Sequence, residues 1–372
     1  MKVGIDARMF GPSAGGGGLG RYVEQFVTRL PSVDKQNHYV LFTKTDVNTP
    51  LEQVRADIHW YTFKEQLFLG RLIDKQNLDL VHFPHWNVPI FLKTPFVVTI
   101  HDLILLEQPK SAVATTRNPL FYTIKYWAYK LALWNAITRS KRIITVSEYT
   151  KQAILKYFPK IDAEKITVIY EGLTDLGIRS GHGDRAGIKP ALTIPYLLSV
   201  GNSYPHKNLP RLIQAFEQIA PLFPDLRLVV AGRKDVFFDR LDQLIHASPF
   251  AHHIDHTPNP TDHDLASLYT NASLFVFPSL SEGFGLPPLE AMQFQVPVVS
   301  SNATCLPEIL GDAAVYFNPE SVDAMARAIT DLLNNPGKQA ELRKKGLEQI
   351  KRYDWNTMTR QIVSLYTHCV NE

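Results

Sequence analysis

Apolar residues fall into two rhythms along this chain. Short runs rich in β-branched residues, at Lys2–Asp6, Tyr39–Phe42, Leu80–Phe83, Phe96–Ile100 and Arg142–Val146, are separated by longer stretches in which apolar positions return every three or four residues. The first rhythm predicts strands and the second predicts helices. Strands alternating with helices predict a parallel sheet covered on both faces, because each parallel pair needs a crossover connection. Thr167–Tyr170 reads as the last strand of this half and runs into Glu171-Gly172.

Residues 174–192, TDLGIRSGHGDRAGIKPAL, break the rhythm with glycines, charges and a proline, and read as a connection. The pattern then restarts, with strands expected at Tyr196–Val200, Leu226–Ala231, Leu274–Phe277, Val296–Ser300 and Ala314–Tyr316 and a helix at Leu209–Leu222. After Tyr353-Asp354-Trp355, apolar positions at Met358, Ile362, Val363, Leu365 and Tyr366 predict a final amphipathic helix over 356–372 that packs back on the first domain. The expected fold class is therefore α/β: two doubly wound Rossmann-like domains, 1–173 and 193–355, facing across a cleft at the carboxyl ends of their strands.

Composition supports two ordinary cores. The 372 residues are 45% hydrophobic and 20% charged, the globular range, and at ~150 residues per domain they divide in two. Cys305 and Cys369 stand alone, without a neighbour at metal-ligand spacing, which points away from a disulfide framework or zinc site and toward a reducing cytoplasm. Residues 1–6 show neither a basic n-region nor an apolar h-region, and no run of 18 apolar residues occurs. The net charge of +3 is too mild to imply nucleic acid.

Its distribution is uneven. No acidic residue lies between Glu107 and Glu148, while seven cations do, and within residues 118–142 the positions Phe121, Ile124, Trp127, Ala128, Leu131, Trp134 and Thr138 share helical spacing. Two readings stand open: a helix resting on an anionic membrane surface, which would make a cytoplasmic protein peripheral on the inner membrane face, or a core helix with solvated lysines.

The densest chemistry lies in PSLSEGFGLPPLEAMQFQVP, residues 278–297. Glu282 falls in a glycine-bearing loop after a strand, and Glu290 falls about one turn into a helix begun by Pro287-Pro288. Gly283 and Gly285 let backbone approach a ligand, and the helix start offers unpaired N–H groups to an anion. The plainer reading is a capping glutamate and a solvated one. In VGNSYPHKN, residues 200–208, Lys207 follows a strand where a cation would serve a diphosphate leaving group, though by itself it reads equally as a surface lysine. In GGGGLGRY, Gly15, Gly17 and Gly20 satisfy G-x-G-x-x-G, and Asp46 follows the next predicted strand, so a dinucleotide site also stands. His101 ends the buried strand FVVTI, where ligands bind in such sheets, or is a satisfied structural histidine. His82, His85, Trp86 and Asn87 line either an acceptor or a packed loop. His252, His253 and His256 lack acidic partners at metal-binding spacing and read as packed or solvated side chains.

The stretch EGFGLPPLEAM, with its continuation SNATCLPEILGDAAVYFNP at 301–319, resembles the E-x7-E signature of the retaining glycosyltransferase family 4, glycosyl transferase group 1, whose fold is called GT-B. The resemblance covers nearly the whole chain. It implies that Glu290 holds the ribose of a nucleotide-diphosphate sugar and that Glu282 contacts the transferred hexose. His101 would lie against that hexose, with Lys207 on the diphosphate. Gly18, Gly20, Asn202, Gly283, Phe284, Gly285 and Leu286 would line the donor site. The first domain would then be the acceptor side and the second the nucleotide-sugar side. One departure stands out: the family's arginine is replaced near Asn202, leaving His206 in its protonated form or Arg211 as candidates for the second cation. The activity implied is metal-independent hexosyl transfer, mannose or glucose in type, to a saccharide or lipid-linked acceptor in polysaccharide or glycolipid assembly. No cofactor is expected beyond the donor as co-substrate. A nucleotide-sugar epimerase, a non-catalytic sugar-nucleotide-binding partner and a nicotinamide-dependent oxidoreductase are the alternatives.

Overall fold

The computed structural model describes residues 1–11, 17–109, 119–176 and 194–371, with the backbone alone for 119–122 and 371. The chain forms two compact units. The first comprises Met1–Leu103, Thr116–Gly172 and Tyr353–Glu372, and the second Ile104–Thr115 and Leu173–Arg352. Most of the connection expected at 174–192 lies outside the described residues, as does Gly15.

The first unit carries seven parallel strands: β1 (Lys2–Asp6), β2 (His38–Thr43), β3 (Glu52–Arg55), β4 (Leu80–Phe83), β5 (Phe96–Ile100), β6 (Arg142–Thr145) and β7 (Ile166–Val168). Their order is β3-β2-β1-β4-β5-β6-β7. The chain moves outward from β1 in one direction, then returns and moves outward in the other, so β1 and β4 flank the switch point where such sheets bind ligands. Every residue of β4 and β5 is buried, as strands covered on both faces require. Helix α1 (Gly18–Val33) lays Tyr22, Val23, Phe26, Val27 and Leu30 on the sheet. Helix α2 (Pro119–Arg139) buries Tyr129, Leu133, Ala136 and Ile137.

The second unit has six parallel strands: β8 (Tyr196–Val200), β9 (Arg227–Gly232), β10 (Ile254–Pro258), β11 (Leu274–Phe277), β12 (Val298–Ser301) and β13 (Ala314–Phe317), ordered β10-β9-β8-β11-β12-β13. Here β8 and β11 flank the switch point. Helix α3 (Leu209–Ile219) buries Leu209, Leu212, Ile213, Phe216 and Ile219. Helix α4 (Leu286–Gln293) starts after Gly285, whose φ of 93° lies in the left-handed region and whose added Cβ would meet Leu306 at 2.9 Å.

The chain ends in helix α5 (Trp355–Asn371), which belongs to the first unit and adds Trp355, Met358, Ile362, Tyr366 and Cys369 to the core that α1 covers. At ~1.5–3 kcal/mol for each large apolar side chain, the upper bound on this contribution is of order 10 kcal/mol. Close approach at its start is possible because position 172 is glycine: a Cβ there would sit 2.3 Å from the Trp355 nitrogen.

Two strands escape the apolar pattern. Both β3 and β10 are edge strands in which Ile254 alone is fully buried, so their sequences EQVR and IDHTP carry no apolar run. The strand expected from Val296 begins at Val298, because Pro297 has no N–H for the ladder.

Candidate functional site

In the second unit the loops after β8 and β11 meet at the switch point. The first contains Gly201, Asn202 and Lys207; the second contains Pro278, Ser279 and Glu282. Ser199, Gly201, Asn202, Lys207, Phe277 and Ser279 line a small hollow there. Asn208, in the left-handed region at φ 60°, ties the two loops by donating from Nδ2 to the carbonyls of Pro278 at 3.0 Å and Pro319 at 2.8 Å. The backbone N–H of Leu280 donates to the His206 carbonyl at 2.7 Å.

Lys207 and Glu282 form the charged centre. Lys207 Nζ donates to Glu282 Oε1 at 2.5 Å, with 15% of the lysine and 9% of the glutamate side chain exposed, so the pair is largely withdrawn from water. The Lys207 ammonium also lies 5.5 Å from the centre of the Phe277 ring. The loop carrying Glu282 is held from behind: Thr304 Oγ1 accepts from the Glu282 N–H at 3.1 Å, and Cys305 Sγ donates to the carbonyls of Glu282 at 3.3 Å and Phe284 at 3.4 Å. Glu290 lies in the second turn of α4, 6% exposed, and its Oε2 accepts from Tyr269 Oη at 3.0 Å. Gly283, Phe284 and Gly285 are buried between the two acids, and Leu286 is half-buried at the helix start.

Three polar atoms are buried without a hydrogen-bond partner, Ser279 Oγ in the lining of the hollow and Ser203 Oγ and His206 Nδ1 in the loop after β8. Orphaned groups of this kind cost ~1–3 kcal/mol each unless something satisfies them. A polyoxygen ligand fits that demand. Without a ligand His206 is neutral near pH 7: burial first, and the neighbouring Lys207 charge second, push its pKa down to about 4. Arg211 Nη1 donates to Asn208 Oδ1 at 2.9 Å, which commits part of its fork to the loop.

In the first unit His101 follows β5. Its Nδ1 shares a hydrogen bond with Glu171 Oε1 at 2.9 Å, its Nε2 donates to the Pro84 carbonyl at 2.9 Å, and Tyr22 packs edge-on at 4.7 Å. Burial lowers its pKa, but the Glu171 hydrogen bond and charge outweigh that, and the net direction is up. The imidazole is thus fixed in orientation and biased toward the cation. Its partner Glu171 is 70 residues away in sequence, with no local signal to mark it.

The other residues singled out in this half divide. His82 is fully buried, bonded to Tyr366 Oη at 2.6 Å and Thr99 Oγ1 at 2.8 Å, and belongs to the core; burial pushes its pKa to about 3. Asn87 is buried and donates to Glu65 Oε1 at 2.6 Å. His85 and Trp86 are mostly buried, with a minor part of each side chain exposed. Gly18 opens α1 at an exposed position, while Gly20 is buried and its carbonyl accepts from the Gly11 N–H at 3.1 Å. His256 stacks on Phe238 at 3.4 Å and bonds Asp242, whereas the rings of His252 and His253 pair at 4.3 Å. Among the described residues no group of three or more His, Cys, Asp or Glu is placed to hold a metal ion.

Likeness to solved structures defines the fold first. The chain resembles WaaG, a glycosyltransferase involved in lipopolysaccharide biosynthesis, with a TM-score of 0.75 at 16% identity over 98% of this chain and 99% of that one. It also resembles Anabaena Alr3699/HepE, solved in complex with UDP and glucose, with a TM-score of 0.73 at 17% identity over 99% and 100% of the two chains. The fold is GT-B. Residues 16–175 match Glycosyltransferase Family 4 and residues 184–349 match Glycosyl transferases group 1. O-antigen chain mannosyltransferase B of Escherichia coli is 31% identical over 300 residues, 77% of this chain and 74% of that protein. The chain belongs to the group 1 glycosyltransferase family and is a glycosyltransferase.

Proposed function

We propose that this glycosyltransferase transfers a hexose, with mannose the first candidate, from a nucleotide-diphosphate sugar to a saccharide or lipid-linked acceptor with retention of anomeric configuration. The observation that carries the reading is the buried Lys207–Glu282 pair beside a hollow lined by Lys207 itself and by Ser279, whose hydroxyl has no hydrogen-bond partner. Mannose is drawn from the name of the E. coli relative.

In this reading the glycosidic bond to the diphosphate breaks with its electron pair moving to the phosphate oxygen. The acceptor hydroxyl bonds to the anomeric carbon from the same face and passes its proton to that oxygen. Lys207 turns from Glu282 to the leaving diphosphate, whose charge grows as the bond breaks. Glu282 stabilises the oxocarbenium-like ring, Glu290 accepts from the ribose hydroxyls, and the orphaned Ser203 and Ser279 hydroxyls donate to phosphate or sugar oxygens. Contact with the hexose falls also to His101. Charge stabilisation by Lys207, backbone amides and the α4 start makes a metal unnecessary.

Two measurements test this. Product NMR should show the anomeric configuration of the donor, and turnover should persist in excess chelator. An inverted product, or a covalent sugar trapped on Glu282, contradicts it.

We further propose that α2 rests on anionic membrane. Ile124, Trp127, Leu131 and Trp134, the stripe expected from the sequence, are each more than half exposed, and the core is served by the opposite stripe. Lys125 and Lys130 are exposed beside them, with Lys130 Nζ 4.8 Å from the Trp127 ring centre. Among the described residues no helix is long and apolar enough to cross a membrane.

A further inference from the structure

The first unit holds a second hollow, of about 340 Å³, that the transfer chemistry above does not use. Its size falls within the range of small-ligand sites. Ala7, Arg8, Lys44, Thr45, His59 and Trp60 line it, which sets it at the carboxyl ends of β1 and β2.

Its floor is a buried ionic network. The Arg8 side chain is fully buried and donates to Asp6 Oδ1 and Oδ2 at 2.7 Å, to Glu65 Oε1 at 2.6 Å and to the Ile58 carbonyl at 3.0 Å. Glu65 accepts in turn from the Tyr61 N–H at 2.8 Å and from Asn87. Taking three charges out of water is a poor way to gain stability, since apolar replacements of similar volume often do as well. The network instead fixes the conformation of residues 58–65. Two backbone features at the same place cost energy and need such fixing. Tyr61 has φ 61°, an uncommon value for a bulky residue, and Glu65 begins a π-helical turn over Glu65–Leu69.

What this holds in place is a set of aromatic faces. The Trp60 ring is half-buried at the hollow, with Lys44 Nζ 5.2 Å from its centre and the His59 ring 4.5 Å away. Tyr61 stacks on Trp86 at 5.1 Å and shares a hydrogen bond with His85 Nε2 at 2.8 Å; the His85 ring lies 6.4 Å from that of His101. Rings thus run from His101 through His85 to Tyr61 and Trp86, and Trp60, next to Tyr61 in sequence, pairs with His59. Of the two cations lining the hollow, Arg8 is spent on Asp6 and Glu65 beneath it, and the surplus negative charge of that network offsets Lys44, which favours a neutral ligand over an anion.

We propose that this hollow binds a neutral sugar ring of the acceptor glycan, with one face of the ring on Trp60 and its hydroxyls met by Lys44, Thr45 and His59. A sugar presents an apolar C–H face and a polar rim, the combination that an aromatic body beside a lysine accepts. The assignment of that sugar as acceptor rests on the transferase reading; its binding does not.

Saturation-transfer NMR on the full chain with methyl α-mannoside, mannobiose, mannotriose and the corresponding glucosides tests the site without donor or turnover. Lys44→Met and Trp60→Ala are compared with wild type, and thermal melting of each variant reports folding. The expected result is transfer to mannobiose or mannotriose protons in wild type, reduced about fivefold or more in both variants, with acceptor KM raised about tenfold and kcat within about twofold. Equal saturation in folded variants, or no binding of any of these sugars to wild type, overturns the proposal. Sugar binding that depends on Trp60 in a chain that transfers no hexose would sink the transferase reading and leave the site. Transfer with an acceptor KM indifferent to both substitutions would do the reverse.

Discussion

Lys207 and Glu282 neutralise one another at 2.5 Å in a setting nearly withdrawn from water, so removing either leaves a buried charge unpaired. Lys207→Ala and Glu282→Ala are each expected to lower turnover by ~10²–10³, the magnitude of losing one preorganised electrostatic contact to a transition state. Release of nucleoside diphosphate checks this, and a loss under about tenfold would remove the pair from the chemistry. The histidines make a second prediction. His82 and His85 with pKa near about 3 and His206 near about 4 stay neutral in the fold, yet protonate in the unfolded chain near the ordinary 6.5. Unfolded chain therefore binds more protons below that value, and stability falls with pH by about 2 kcal/mol at pH 5 for a fully buried group such as His82. His101 has the opposite sign: its raised pKa gives stability present below the unfolded value and lost as pH rises through the folded one. Urea midpoints between pH 7 and 4 should decline, and His206→Gln should soften that decline; a flat profile would contradict the buried-neutral assignment. Glu282, Glu290 and Lys207 were legible because glycines, prolines and acids are packed into short motifs after strands. Glu171, Thr304 and Tyr269, which hold or orient His101, Glu282 and Glu290, sit 70, 22 and 21 residues from their partners, a distance no local pattern spans.

Among the elements, α5 shows how the chain end serves the first unit. Gly172→Ala would drive a methyl group into the Trp355 backbone nitrogen, and the expected cost is roughly 1–3 kcal/mol or more, because backbone yields less readily than a side chain. Denaturant unfolding measures it, and a neutral substitution would show that α5 is free to shift. Helix α2 makes the other prediction at this scale. Vesicles containing anionic lipid should retain the protein, neutral vesicles should not, and Trp127→Ala with Trp134→Ala should release it. Equal retention on both lipids would sink the membrane assignment. The sequence left this helix open because a stripe of Trp, Leu and Ile looks alike whether it faces a core or a bilayer; exposure of that stripe, with Tyr129, Leu133, Ala136 and Ile137 buried opposite, takes it out of the core of its unit and is the observation on which the membrane proposal rests. Strands were readable where both faces are covered and at the edges β7 and β13, and were missed at the edges β3 and β10, whose sequences carry no apolar run.

Taken whole, the molecule repeats one design. Each sheet reverses direction beside its first strand, β1 next to β4 and β8 next to β11, and the residues with chemistry follow those strands or their neighbours. A switch-point crevice of this kind suits any phosphate ligand. A nucleotide-sugar donor and a nicotinamide cofactor are thus separated by binding, not by fold. The most direct measurement is thermal stabilisation of wild type, Lys207→Ala and Glu290→Ala by a panel of GDP- and UDP-sugars, free nucleotides, NAD and NADP. At a ligand concentration of about 100 times Kd, binding adds about 2.7 kcal/mol and raises the melting temperature. A shift is expected with one nucleotide-diphosphate sugar, and its loss in both variants. A shift with NAD or NADP and none with any sugar nucleotide would contradict it.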